Sequence, residues 1–364
     1  MNPHQLRRYS RQLPLLGLEG QEQLLKAQVL VVGAGGLGCP ALQYLVAAGV
    51  GFIDIIDGDN IELSNLQRQI LYSESDIAQN KARVAVKRLK RLNPDCQLTP
   101  YPYFINEDNA RERLAHVQLV IDASDNYKTR YVLNNACHPL KIPLISASIY
   151  QFDAQLSVFN YQQGPCYQCL YPAAPPDHLI PSCAEGGVLG VLPGIIGSIQ
   201  AAEALKIITG IGEVLSGKLL TIHLSTQQYR VFDFKKDSAC DVKHGLAAPV
   251  QSSDSAAVDV SIITPTELAY QLKQKPNDYF LLDVRQPYEQ EIISIGGMLI
   301  PLAELDWQLE QIPQDKVIIV YCKMGTRSKK AAIRLLQSGY PHVKVLEGGV
   351  LQWARDIEKR TIDY

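Results

Sequence analysis

Residues 29–38 constrain the fold of this chain more than any other stretch. Val29-Leu30-Val31-Val32 is a continuous apolar run rich in β-branched residues, and it stops at Gly33-Ala34-Gly35-Gly36-Leu37-Gly38. A run of that kind reads as a strand buried on both faces. Leu37 to Ala48 then reads as a helix with Pro40 in its first turn, where a missing N–H costs little. Gly33, Gly35 and Gly38 satisfy the G-x-G-x-x-G spacing between the two elements, the context in which backbone N–H groups and the helix dipole face a phosphate. Phe52 to Ile56 reads as a second strand closing at Asp57, roughly the 20 residues downstream where an acidic side chain meets a ribose hydroxyl. This grouping suits an NAD enzyme as well as an ATP enzyme.

Leu119–Asp122 and Leu144–Ala147 read as further strands with helical segments between them. The alternation predicts an α/β fold, a Rossmann-like, mostly parallel, doubly wound sheet. The chain has 364 residues, and single cores stop growing near about 250–300 residues, so two domains are expected. Composition shifts after Gly245, and residues 246–261 read as a small, polar linker between a domain at 1–245 and a smaller α/β domain at 262–364. In the latter, Phe280–Asp283 and Val317–Tyr321 read as strands and Arg327 to Gln337 as a helix. A net charge of −2 excludes a nucleic-acid binder that works by overall charge. The basic run Lys81 to Arg91 reads mostly as the solvated face of a helix ending at Asn93-Pro94. No apolar run approaches the roughly 18 residues of a bilayer span and no signal peptide is visible, so a cytoplasmic protein with reduced cysteines and no membrane partner is expected.

Two cysteine settings carry chemistry. Cys166-Tyr167-Gln168-Cys169 has zinc-knuckle spacing on a Gly-Pro-bounded loop. Tyr321-Cys322-Lys323-Met324-Gly325-Thr326-Arg327-Ser328 joins an apolar strand to a helix, where successive N–H groups form an anion nest able to hold a persulfide on Cys322. Cys39, Cys96 and Cys137 read as structural.

Ser64-Asn65-Leu66-Gln67-Arg68-Gln69, with Asn80-Lys81-Ala82, Asp125-Asn126 and Arg8-Tyr9-Ser10-Arg11-Gln12, resembles the MoeB/ThiF family of adenylyltransferases, relatives of ubiquitin-activating enzymes, over about residues 5–245. The resemblance implies that ATP binds at Gly33, Gly35, Gly36 and Gly38. Asp57 would hold the ribose, and Ser64, Asn65, Leu66, Gln67, Arg68, Lys81 and Asn126 would surround the phosphates. Asp125 would support Mg²⁺, and Arg11 would reach into the partner's site of a homodimer. The chemistry agrees, because a carboxylate attacking an α-phosphate brings negative charges together, and fixed cations lower that barrier. The family pairs its zinc knuckle with a second Cys-x-x-Cys, but here the position reads Cys240-Asp241-Val242-Lys243-His244. Three readings stay open: His244 completes a Cys₃His zinc site, water is the fourth ligand of a weaker site, or the site is lost. Cys183 matches a family cysteine that forms a covalent link to the activated carrier.

The Cys322 loop, with Asp283-Val284-Arg285 through Glu289 and Glu347-Gly348-Gly349 through Trp353, resembles a rhodanese sulfurtransferase domain over about residues 262–358. Asp283 and Arg285 are expected to organise the loop. Together the resemblances imply ATP-dependent adenylation of the C-terminal carboxylate of a ubiquitin-like sulfur carrier ending in Gly-Gly, of the molybdopterin synthase small-subunit type. Sulfur from a donor such as a cysteine desulfurase then passes through Cys322 to form a thiocarboxylate. The same chemistry serving thiamine biosynthesis or tRNA thiolation is the alternative. A dinucleotide-dependent redox enzyme lacks a hydride-site His/Arg constellation here, and a non-catalytic scaffold would not need the charged set.

Overall fold

Val29 to Val32 fall within β1 (Gln28–Val32) and are almost fully buried, as the unbroken apolar run requires of a central parallel strand. The computed structural model describes residues 1–174, 187–240 and 260–362, and the chain divides into two compact units, Met1–Ala248 and Pro249–Tyr364. The first unit holds β1, β2 (Phe52–Ile56), β3 (Gln97–Tyr101), β4 (Leu119–Asp122), β5 (Leu144–Tyr150), β6 (Asp153–Phe159), β7 (Lys218–His223) and β8 (Gln228–Asp233). Their order is β3-β2-β1-β4-β5-β6-β7-β8. The pairings from β3 through β5 are parallel and those from β5 through β8 antiparallel.

Strand order reverses at β1, whose two neighbours belong to opposite directions of chain winding. In such sheets ligands bind outside the carboxyl ends of the strands at the reversal. Register places those ends together, with Val32 opposite both Ile56 and Asp122, so Gly33, Asp57 and Ala123 open at one edge.

The helix after β1 runs Gly38–Ala48, with Pro40 in its first turn. Asn80 caps Lys81–Leu92 by accepting from the Arg83 N–H. On that helix Arg83, Lys87, Lys90 and Arg91 face solvent as expected, while Lys81 is buried. Helix Val191–Thr209 is long and apolar enough, by length and composition, to cross a membrane, although Gln200, Glu203 and Lys206 break its apolar run. The helix packs on Gly38–Ala48 and on β5 and β6. Two of its buried polar groups bond inside the unit, where Gln200 Nε2 donates to the Asp122 carbonyl at 2.7 Å and Glu203 accepts from the Leu215 N–H at 2.9 Å, while Gln200 Oε1 has no partner among the described residues.

The second unit is an all-parallel sheet of β9 (Ser261–Ile263), β10 (Tyr279–Asp283), β11 (Met298–Leu299), β12 (Val317–Tyr321) and β13 (Val343–Leu346), in the order β11-β10-β12-β13-β9. Strand β9 begins one residue inside the stretch read as linker. Helix Thr326–Gln337 covers β12 and β13, burying Ala331, Ala332 and Leu335 against Ile318, Val320 and Val345.

Candidate active site

The carboxyl ends of β1, β2 and β4 enclose a cavity of about 330 Å³. Three glycines of the turn serve two different ends. Gly33 has φ +97°, and a Cβ there would lie 2.6 Å from the Ala123 carbonyl; a Cβ on Gly38 would lie 1.9 Å from the Gly33 carbonyl. Both are required by the fold. Gly35 lines the cavity, and a Cβ there would meet only Gln69 Nε2, at an ordinary 3.6 Å. The protein itself does not need glycine at 35, so the space is left for a ligand.

Asp57 also lines the cavity, and its carboxylate accepts from the Ala34 N–H at 2.8 Å and the Asp59 N–H at 2.9 Å, binding the glycine turn to the loop after β2. Burial holds its carboxyl above the usual range, against the pull of Lys81 and these two N–H groups. Lys81 is buried and reaches Asp59 at 3.0 Å. Arg68 is half-buried beside Gly36 and donates to the Ser64 carbonyl at 3.0 Å. Asn65 and Asn126 reach the cavity too, the latter capping helix Tyr127–Leu140 through the Thr129 N–H. Asp125 presents an exposed carboxylate beside them; with Asp59 and Glu62 it offers the oxygen donors that Mg²⁺ takes.

Other expected residues stand back. Gly38, Ser64, Leu66 and Gln67 do not line the cavity: Ser64 bonds Glu62, Leu66 packs on the core, and Gln67 backs onto Gly190. Arg11 is exposed and does not reach its own chain's cavity. Cys183 and His244 lie outside the described residues. Arg130, Gln69 and Phe104 are among the lining residues to which the sequence reading gave no role. Arg130 is buried, 3.8 Å from the fully buried Asp122, and Gln69 is buried with Oε1 unpartnered. Phe104 is 64% exposed at the cavity, seated over Gly58. Helical periodicity could have found Arg130, which shares the buried face of its helix with Leu133, Asn134 and Cys137.

Cys166 Sγ lies 3.7 Å from Cys169 Sγ and 3.4 Å from Cys240 Sγ. A tetrahedral zinc with Zn–S of about 2.3 Å sets its sulfurs roughly 3.8 Å apart, so three cysteines from two distant segments fit zinc. Burial pushes the Cys166 and Cys240 thiols up, and the neighbouring sulfurs push Cys240 further. Cys39, Cys96 and Cys137 are buried singly, with burial raising Cys39 to about 12 and Cys96 to about 11.

In the second unit Cys322 is 1% exposed between β12 and helix Thr326–Gln337. Gly325 N–H donates to its sulfur at 3.1 Å, and the Ser328 hydroxyl lies 3.5 Å away. Gly325 holds φ +108° to turn that N–H inward. Gly349 lets the next helix press on the loop; a Cβ there would lie 2.2 Å from the Cys322 carbonyl. Arg285 is fully buried, with Nε and Nη2 on Asp283 and further bonds to the Glu289 and Ile293 carbonyls. Asp283 and Arg285 therefore brace the loop. Arg327 pairs with Glu289 through both nitrogens, at 2.5 and 2.6 Å. Burial alone would raise the Glu289 carboxyl, but Arg327 and the Gln286 N–H hold it below the usual range.

The ThiF family matches residues 9–242 and the rhodanese-like domain residues 264–356. The chain is 38% identical to the probable adenylyltransferase/sulfurtransferase MoeZ of Mycobacterium tuberculosis, covering 100% of this chain and 96% of that protein. It is 38% identical to the adenylyltransferase and sulfurtransferase MOCS3 of Drosophila virilis, over 99% of this chain and 85% of that protein. The sulfur carrier protein adenylyltransferase of Thermus thermophilus is 49% identical over 65% of this chain and 90% of its own length. Among solved structures, E. coli MccB with ATP has the same fold, with a TM-score of 0.57 at 23% identity over 65% of this chain and 74% of that one.

Proposed function

The chain belongs to the ThiF family, with a rhodanese-like domain behind it, and on that footing we propose that it converts the C-terminal carboxylate of a ubiquitin-like sulfur carrier into a thiocarboxylate. It is an enzyme, an adenylyltransferase and a sulfurtransferase. The observation that carries the finer reading is the open space over Gly35, flanked by Lys81, Arg68 and the exposed Asp125 carboxylate. That arrangement suits a polyphosphate approached by a carboxylate.

ATP lies with its phosphates over Gly35 and Gly36. The carrier carboxylate attacks the α-phosphate, the bond to the β-phosphate breaks, and pyrophosphate leaves, giving an acyl-adenylate. Arg68 and Lys81 stabilise the charge that gathers on the phosphoryl oxygens, in a site whose walls supply fixed donors. Asp125 would hold Mg²⁺, which offsets phosphate charge. Arg11 completes the site of a partner copy in a homodimer.

Cys322 receives sulfur from a cysteine desulfurase or similar donor and carries it as a persulfide. The terminal sulfur attacks the acyl carbonyl and expels AMP, leaving carrier and Cys322 joined through an acyl disulfide. A cellular dithiol attacks the Cys322 sulfur, releases the carrier thiocarboxylate and, through its second thiol, returns Cys322 to the free thiol. The carrier is of the molybdopterin synthase small-subunit type, with thiamine or tRNA thiolation as the other destinations of the same chemistry, and the reaction runs in the cytoplasm without nucleic acid or membrane.

Mass spectrometry of a carrier ending in Gly-Gly, incubated with ATP, Mg²⁺ and a sulfur donor, tests the scheme. The expected product gains one sulfur in place of one oxygen. A carrier left unchanged, with no pyrophosphate exchange, overturns it.

A further inference from the structure

Lys243 stands where a second Cys-x-x-Cys would supply the fourth thiolate after Cys240, and an ammonium cannot ligate. Yet the cluster of Cys166, Cys169 and Cys240 is not short of a donor. His138, in the last turn of helix Tyr127–Leu140, brings a ring nitrogen to within 4.8 Å of the Cys166 and Cys240 sulfurs. We propose that His138 is the fourth ligand, giving a Cys₃His zinc site assembled from the helix after β4, the loop after β6 and the end of the first unit.

The ring is already set for this. Its Nδ1 lies 3.0 Å from Asn160 Oδ1. A carbonyl oxygen only accepts, so in the tautomer where Nδ1 donates to Asn160 the lone pair sits on Nε2, the form a metal ligand takes. A metal-bound histidine almost always donates its second nitrogen in this way. Asn160 is itself fixed: it is buried, holds φ +60°, and its N–H donates to the Pro165 carbonyl at 2.9 Å, next to Cys166. One residue thus orients the histidine and steadies the loop of the first two cysteines. Zinc with Zn–S of about 2.3 Å and Zn–N of about 2.0–2.1 Å places its ligand atoms roughly 3.5–3.8 Å apart. Cys166 Sγ is at about that spacing from both Cys169 and Cys240, and the imidazole, within 4.8 Å of Cys166 and Cys240, would have to move inward to complete the set.

Compared with four thiolates, this set carries one negative charge less. It also ties the helix that follows the nucleotide cavity directly to the metal, because Asn126 and His138 cap and close the same helix.

Zinc and cobalt binding to the full chain, followed without ATP or carrier, separates this test from the reaction proposed above. The wild type should hold one zinc per chain. His138→Ala should weaken zinc at least about 100-fold against a chelating dye, since loss of a mere orienting partner costs 10–100-fold. Asn160→Leu should fall in that lower range, and Asn160→Asp, which keeps the acceptor, should stay near wild type. His244→Ala should bind zinc normally. Should His138→Ala fail to fold, His138→Cys decides: a fourth thiolate raises the sulfur-to-cobalt charge-transfer absorption. Zinc lost in His244→Ala but kept in His138→Ala, an unchanged cobalt spectrum in His138→Cys, or a wild type that takes up no zinc each overturns the assignment.

Discussion

Alanine at Gly35 and at Gly38 should separate what the turn does for the ligand from what it does for the fold. At Gly38 a Cβ would sit 1.9 Å from the Gly33 carbonyl, so two backbone segments must part by about 1.5 Å to reach an ordinary carbon–oxygen contact. Shifts of that kind belong to the rare substitutions costing above about 4 kcal/mol. For a unit of this size that lowers the melting temperature by at least about 8 °C. At Gly35 the new Cβ meets nothing closer than 3.6 Å and φ is not positive. Restricting the unfolded chain there stabilises by about 0.4–1 kcal/mol, a rise of roughly 1–4 °C. The same methyl fills the space reserved for phosphate, so ATP affinity should fall at least about tenfold, or 1.4 kcal/mol. Calorimetry of the full chain and ATP titration read the two effects separately. A Gly35→Ala protein that melts like Gly38→Ala, or that binds ATP like wild type, refutes the reasoning.

Arg68→Ala should reduce carrier-dependent pyrophosphate exchange about 100–1000-fold while leaving the melting temperature near wild type, because the side chain is only half-buried and bonds one carbonyl. Cys322→Ser should abolish sulfur loading, read by mass spectrometry after incubation with a donor, and spare pyrophosphate exchange. Glu289→Gln removes the buried carboxylate that pairs with Arg327 and should destabilise the second unit by about 3–5 kcal/mol at pH 7, measured in urea. The Glu289 carboxyl titrates lower when folded than unfolded, so its stabilisation is complete above about pH 4.3 and is lost as pH falls through the folded value. The variant should show a flatter acid limb than wild type over that window.

The parallel half of the first sheet was legible because strands buried on both faces cannot avoid being apolar runs. The antiparallel half was not. All six residues of β8 are exposed and β7 is mostly half-buried, so neither shows the contrast between faces that marks a strand. The residues of the nucleotide cavity close in sequence to a motif, such as Asp57 and Lys81, were readable one by one. Arg130 shows only in the buried period of its helix, and Gln69, though it closes the Ser64–Gln69 motif, takes its place in the cavity wall through packing. The metal cluster shows the same limit: two cysteines announce themselves by spacing, whereas His138 lies 28 residues before Cys166 and becomes a neighbour only when β5 and β6 fold back.

The contacts to the Cys322 sulfur come from the Gly325 N–H and the Ser328 hydroxyl, both neutral, while the nearby Arg327 guanidinium is committed to Glu289. An anionic sulfur there is held by dipoles fixed within a turn, over distances shorter than the Debye length of about 8 Å at physiological ionic strength. The nucleotide cavity works instead with whole charges at its mouth. On the scheme proposed above, added salt should therefore loosen ATP before it disturbs a persulfide on Cys322, so that in concentrated electrolyte sulfur loading would persist while the activation step slows.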